Sequence, residues 1–209
     1  MKKIPTLFKR IYENHKVIGI TDEVTEGCEF VLEGKGTPTV KYDGSCCAII
    51  GGQLYKRYDA KKGKKAPEGA IPCQDAPDEI TGHFPHWVKC DCNNPADKWF
   101  FKAFEGTKLT DFIKYPSAIV AFPSILPDGT YEAIGEHFQG NPYHLKGDTL
   151  VKHGEKVIWA KLDSFEAIKE FLKNNDIEGI VFWLDGEPRC KIKRSDFGFL
   201  WGASNKEDK

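Results

Sequence analysis

Lys41, Asp43 and Gly44 sit at the head of the run VKYDGSCCAIIGGQLYKRYDAKKGKK, residues 40–65. The lysine closes an apolar, strand-like segment two residues before an Asp-Gly turn, and a dense basic stretch follows. A solvated surface lysine needs no such setting; a lysine that presents its amine to a phosphate does. The stretch KRYDAKKGKK, residues 56–65, carries six Lys or Arg against one Asp. Two readings fit it: a solvated face, or a channel for the phosphates of a nucleic acid, with Lys61, Lys62, Lys64 and Lys65 as its contacts.

A second concentration of chemistry lies in IEGIVFWLDGEPRCKIK, residues 177–193. Two β-prone runs flank Asp185-Gly186, a pair suited to the positive φ angles of a two-residue hairpin turn. That turn pairs Glu178 with Lys193 and Ile180 with Lys191. Side chains alternate along strands. Glu178, Lys191 and Lys193 are then expected on one face, with Val181, Trp183, Cys190 and Ile192 on the other. A surface hairpin with cross-strand ion pairs is the plain reading; a carboxylate and two ammonium groups gathered around a phosphate is the chemical one.

The elements that must position these groups read as mixed α and β. VIGI (17–20), EFVL (29–32), TYEAIGEHF (130–138), EKVIWAKL (155–162) and SAIVAFPSI (117–125) read as strands. CCAII-GG-QLYKRY reads as a hairpin that sets Arg57 opposite Cys46, on the strand after Lys41, and so places the basic strand beside the lysine. The clearest helix is SFEAIKEFLKNN (164–175), with Ser164 as N-cap and Phe165, Ile168, Phe171 and Leu172 on one face. A weaker helical pattern covers 97–115. Residues 66–98, rich in Pro, Asp, Gly and His, read as a long excursion with short helical pieces. In it His83, His86, Cys90 and Cys92 are zinc-ligand types, but their spacing matches no common site and ordinary packing is the alternative.

Composition bounds the function. With 209 residues, 40% hydrophobic, 12% aromatic and 29% charged, the chain has the makeup of one globular domain that buries about two thirds of its unfolded surface. No stretch is long enough to span a membrane, and the start lacks the apolar run of a signal peptide. Seven cysteines, an odd number that includes adjacent Cys46 and Cys47, make a disulfide framework a poor expectation. A reducing, cytoplasmic setting is expected instead. A net charge of −1 argues against coating of nucleic acid by bulk electrostatics.

Taken together, Lys41-Tyr42-Asp43-Gly44, Lys56-Arg57, Glu132 in TYEAIG, Glu178-Gly179 in EGIVF and Lys191-Ile192-Lys193 resemble the ordered motifs of the covalent nucleotidyltransferases: DNA ligases, RNA ligases and mRNA capping enzymes. The resemblance covers residues 33–197. KYDGSCC, YKRYDAKKGKKAP, the DKW of 97–99 and IGEHFQGNPYHL look most like the small ATP-dependent 5′-to-3′ RNA ligases found in humans and some viruses and microbes. Relatives of the DNA-ligase and capping type continue past the K-x-K motif into an OB-fold domain. Here RSDFGFLWGASNKEDK follows, so the expectation is a nearly minimal catalytic module over residues 1–209.

The resemblance implies an α+β nucleotidyltransferase (adenylation) domain whose antiparallel sheets enclose an ATP cleft, without an OB-fold. It implies ATP and Mg²⁺ as cofactors, and as partner an RNA bearing 5′-phosphate and 3′-hydroxyl ends, with no obligate protein partner. Lys41 would be the nucleophile, which must be a neutral amine to attack phosphorus; Lys191, Lys193 and a metal ion nearby would favour that form. Asp43 and Gly44 would shape the turn that aims it. Lys191 and Lys193 would hold the α-phosphate. Glu178 would associate with the metal, whose preference is for oxygen ligands, and Glu132 would bind the ribose. Arg57 would touch ribose or phosphate. Trp159 is the candidate to stack on adenine, a core tryptophan being the alternative. Two other functions stay open: nucleotidyl transfer to another acceptor, such as a DNA nick or a protein, and a non-catalytic nucleic-acid-binding module.

Overall fold

The computed structural model describes residues 1–14, 16–79, 81–114 and 126–202. The strand expected over residues 117–125 lies outside them. The protein is α+β, built mainly of antiparallel sheets, with two α-helices among the described residues. In chain order its elements are β1 (Phe8–Glu13), β2 (Lys16–Val24), β3 (Thr37–Lys41), β4 (Ser45–Ile50), β5 (Gln53–Ala60), β6 (Ile71–Pro72), β7 (Phe84–Lys89), α1 (Lys98–Lys114), β8 (Gly129–Gly135), β9 (Asp148–Lys152), α2 (Phe165–Asn174), β10 (Gly179–Leu184) and β11 (Glu187–Lys193). They form two compact units. One comprises Met1–Lys3 and Asp43–His153, the other Ile4–Tyr42 and the described residues from Gly154 on.

The first unit is a six-stranded sheet in the order β6-β7-β5-β4-β8-β9, with α1 laid on β9 and β8. Its β4–β5 turn is the expected Gly51-Gly52 pair, with φ of 56° and 72°. The Asp128 carboxylate accepts both turn N–H groups, at 2.7 and 3.1 Å. Leu54, Ile49, Tyr131, Phe138 and Leu150 build its core. Helix α1 approaches β9 so closely that a Cβ on Gly106 would lie 2.2 Å from the Asp148 carbonyl. Residues 84–89 were expected within an irregular excursion, yet they form β7, between β6 and β5. Pro85, His86 and Trp87 are all buried there. A strand covered on both faces shows no alternation, and so hides from a period-2 reading.

Beneath this sheet Lys56 donates to Asp97, which is fully buried and also accepts the Asp91 N–H at 3.0 Å. Removing one partner of a buried pair strands the other charge. Lys56 is itself partly exposed, so Asp97→Ala is expected to destabilise the first unit by about 2 kcal/mol, read as a lower midpoint in urea denaturation.

The second unit holds the sheet β11-β10-β3 and the two-stranded sheet β1-β2. Phe8, Val31, Ile168, Leu172, Ile180, Phe182 and Ile192 form its core. Helix α2 is as expected: Ser164 Oγ accepts the Ala167 N–H at 3.2 Å, and Ile168 and Leu172 are buried. Two expected strands are not. EFVL (29–32) begins with a 3-10 turn at Glu29–Val31, because Phe30 and Val31 are neighbours that enter the same core and a strand would point them apart. EKVIWAKL (155–162) makes one isolated bridge, Val157 to Thr39, flanked by hydrogen bonds from Val40 N–H to Lys156 O and from Ile158 N–H to Pro38 O. Ile158 and Leu162, four residues apart, serve the core, a spacing that strand alternation alone does not require.

The hairpin β10–β11 turns at Asp185-Gly186, with φ of 53° and 75°, but its register departs from expectation. Gly179, not Glu178, faces Lys193, and Val181, not Ile180, faces Lys191. A bulge opposite Phe182 and Trp183 leaves Arg189 as the extra residue beside Pro188, which has no N–H to give the ladder. The one-residue shift exchanges the faces of β10. Ile180 and Phe182, rather than Val181 and Trp183, join Cys190 and Ile192 in the core.

Candidate functional site

In the second unit, β10 is the middle strand, and Gly179 pairs with Lys41 of β3 on one side and Lys193 of β11 on the other. Directly opposed residues share a face, so the two lysines flank a glycine. The glycine is required: a Cβ there would lie 2.2 Å from the Ile192 carbonyl oxygen. Glu178, next in chain to that glycine, is 3% exposed. Its Oε2 accepts from Lys41 Nζ at 2.6 Å and its Oε1 from Lys193 Nζ at 2.7 Å. A buried carboxylate thus bridges two ammonium groups from the two outer strands, both partly exposed at 21% and 35%.

The surroundings fix this geometry. Lys193 N–H donates to Asp196 Oδ2 at 2.8 Å, and the buried Asp196 also accepts from Arg10 Nε and Nη2 at 3.1 and 2.9 Å. The Glu178 carbonyl accepts Arg194 N–H at 2.8 Å. Along the free edge of β11, Leu7 N–H bonds Lys191 O at 2.7 Å and Lys191 N–H bonds Pro5 O at 3.0 Å, so the strand is held on both sides. Lys191 occupies the same face as Lys193, opposite Val181. Thr39 and Trp183 continue that face, joined by a 3.0 Å bond from Trp183 Nε1 to Thr39 Oγ1. An open pocket of about 450 Å³ lies among Thr37, Thr39, Gly154 and Trp183. Trp159 is 94% exposed, so the core-tryptophan alternative is excluded.

The remaining expected site residues lie in the first unit. Asp43 N–H donates to Tyr143 Oη at 2.6 Å, and Gly44 O accepts from Gln139 Nε2 at 3.1 Å. A Cβ on Gly44 would lie 2.2 Å from Ala133 O, so glycine is needed for close passage over β8. Arg57 belongs to β5, which hydrogen-bonds to β4 and β7 and not to β3. Its guanidinium reaches Asp59 Oδ1 at 2.9 Å and the Met1 carbonyl at 3.2 Å, and it also lies beside the Cys46 thiol, as the hairpin register requires. Burial pushes that thiol up to about 12; the Glu132 carboxylate adds to the effect and Arg57 opposes it. Glu132 faces Cys46 across the ladder and takes a 2.9 Å contact from His153 Nε2. Lys61, Lys62, Lys64 and Lys65 are exposed on the loop after β5.

Sequence reading did not find Tyr143, Gln139 or His153. Tyr143 meets Asp43 across 100 positions of chain, and nothing local marks either residue for the other. His153 follows β9, a short strand inside a Gly-rich stretch. His83, His86, Cys90 and Cys92 do not converge: His86 Nδ1 bonds Phe84 O at 2.8 Å, Cys90 is buried and Cys92 exposed. All seven cysteines are free thiols. Among the described residues no helix is long and apolar enough to cross a membrane. In comparisons with known proteins, no family model and no curated protein matches the chain.

Proposed function

We propose that the protein is an ATP-dependent RNA ligase that works through a covalent lysyl-AMP. The observation that carries the reading is the Lys41–Glu178–Lys193 bridge. It brings together, from two strands and the residue that precedes a third, the lysine, carboxylate and K-x-K lysine that the motif series assigns to adenylyl transfer. A structural ion pair needs two charges; this carboxylate serves two ammonium groups that flank one glycine.

Lys41 first releases one proton to solvent, its ammonium becoming the nucleophilic amine; Nζ then bonds to the α-phosphorus of ATP as the bond to the bridging oxygen of pyrophosphate breaks, and the nitrogen gives up a second proton. Glu178 Oε2, already at hydrogen-bond distance, is placed to receive it. Lys193, tethered through the same carboxylate, and Lys191 offset charge developing on the phosphate. AMP then passes to an RNA 5′-phosphate, and a 3′-hydroxyl displaces it to seal the strand. Mg²⁺ takes one or two carboxylates together with substrate phosphates; Glu178 fits that donor set, and the ion would neutralise phosphate charge. For Glu132 and Arg57 the reading proposes ribose or phosphate contacts, and for the exposed Trp159 adenine stacking.

Incubation with α-labelled ATP and Mg²⁺ tests the reading: label that survives denaturation and moves to a 5′-phosphorylated RNA is expected. Label that stays on the protein, or moves to nicked DNA alone, would select the other acceptors. Absence of covalent label would leave a binding module.

The basic loop makes a separable prediction. Neutralising Lys61, Lys62, Lys64 and Lys65 together is expected to spare adenylylation while weakening RNA sealing. The slope of sealing against log salt should flatten by roughly 0.7 for each phosphate that is no longer neutralised. Sealing titrated across ionic strength reads this directly. Superimposable curves for parent and variant would mean that the loop touches solvent alone.

A further inference from the structure

We infer that the first unit carries a site for a borderline-soft divalent ion, of the zinc type, formed by Cys46, Glu132 and His153. The site belongs to the first unit and the lysine cluster to the second, and of its three ligands only Glu132 also figures in the ligase reading. Cys46 of β4 and Glu132 of β8 are direct cross-strand partners, and Glu132 in turn faces Val151 of β9. His153 lies two residues beyond Val151, so strand alternation brings it to the same face. One ligand atom from each of the three, a thiol sulfur, a carboxylate oxygen and an imidazole nitrogen, lies within 4.8 Å of the other two. Modest rotamer adjustment closes such a group to the bond lengths of a tetrahedral ion, roughly 2.0–2.3 Å.

A second, independent feature points the same way. The ring nitrogen of His153 that faces away from the trio, Nδ1, is 3.0 Å from Thr130 Oγ1. Metal-bound histidines characteristically donate that far N–H to an oxygen, which fixes the tautomer and aims the other nitrogen at the ion. Here the nitrogen so aimed is Nε2, already 2.9 Å from Glu132 Oε2, and the ion would replace the proton between them. Arg57, beside Cys46, supplies N–H groups to a bound sulfur. Three protein ligands leave a fourth position open, the pattern of sites that bind a water or a substrate atom. Sulfur and imidazole disfavour Mg²⁺, which selects oxygen, so this site and the Mg²⁺ requirement of adenylylation are chemically distinct.

Titration of the reduced protein with Co²⁺ and then Zn²⁺, in the absence of nucleotide, tests the inference. One equivalent of Co²⁺ is expected to give a thiolate-to-cobalt band in the near ultraviolet with visible d–d bands of tetrahedral intensity, and Zn²⁺ is expected to bleach both. Cys46→Ser should abolish the near-ultraviolet band. His153→Gln should weaken Zn²⁺ binding about a hundredfold or more, and Thr130→Val by roughly 10- to 100-fold. Lys41→Ala should bind Co²⁺ normally, which separates this site from the proposed chemistry. Circular dichroism of each variant checks the fold, and the parent protein carries the primary readout. Failure of the parent to develop the bands at one equivalent, or bands unaltered in Cys46→Ser, would overturn the assignment.

Discussion

Lys41→Ala is expected to abolish covalent attachment of AMP, and with it RNA sealing, because an alkyl side chain has no lone pair to bond to phosphorus. Intact-mass measurement after incubation with ATP and Mg²⁺ should show one adenylyl group on the parent and none on the variant. Lys41→Arg sharpens the test. Arginine retains the positive charge and its pairing with Glu178, yet its guanidinium does not deprotonate in proteins and so cannot act as the nucleophile. The fold should survive both changes: Lys41 is partly exposed, and Glu178 keeps Lys193 as a partner at 2.7 Å. Adenylylation of Lys41→Arg at the parent's rate would remove Lys41 from the mechanism.

Glu178→Gln is the second large effect. The amide has nearly the shape of the carboxylate but no charge, and its NH₂ group must face one of two ammonium groups now 2.6 and 2.7 Å away. A fall of a hundredfold or more in the rate of AMP incorporation at saturating Mg²⁺ is expected, the size seen when one electrostatic contact to a transition state is removed. Stability should drop by about 2 kcal/mol, less than for a fully buried pair because both lysines reach solvent. Thermal melting beside the rate separates the two effects. A variant that melts lower yet labels at the parent's rate would make the bridge a structural device and sink its catalytic role. Lys193→Ala should show the rate loss with a smaller change in melting, since Lys41 remains to neutralise Glu178.

Local chemistry was legible in the sequence. The two glycine-bearing turns, at Gly51-Gly52 and Asp185-Gly186, take the positive φ angles their residue types permit. The Ser164 cap and the apolar stripe of α2 follow from propensity and period alone. Lys41, Glu178 and Lys193 stood out by their places beside an Asp-Gly turn and in a hairpin, and the motif resemblance joined them and implied the α+β fold. The turns, the cap and the stripe depend on a few neighbouring residues, and that information is present in the chain.

Register and convergence depended on the tertiary structure. One bulged residue, Arg189 beside Pro188, moved every side chain of β10 to the opposite face from that expected. The energy that places such a bulge is the burial of Ile180 and Phe182 against Phe8, Ile168 and Leu172, partners far away in sequence. In the same way β7 exists because both of its faces are covered, and EFVL turns because two neighbouring apolar side chains share one core. Likewise the approach of Glu178 to Lys41, 137 positions earlier, and of His153 to Glu132 and Thr130 is set by which strands lie side by side. A strand's alternation says which residues share a face; only the packed sheet decides which face is inside and which distant residues meet upon it.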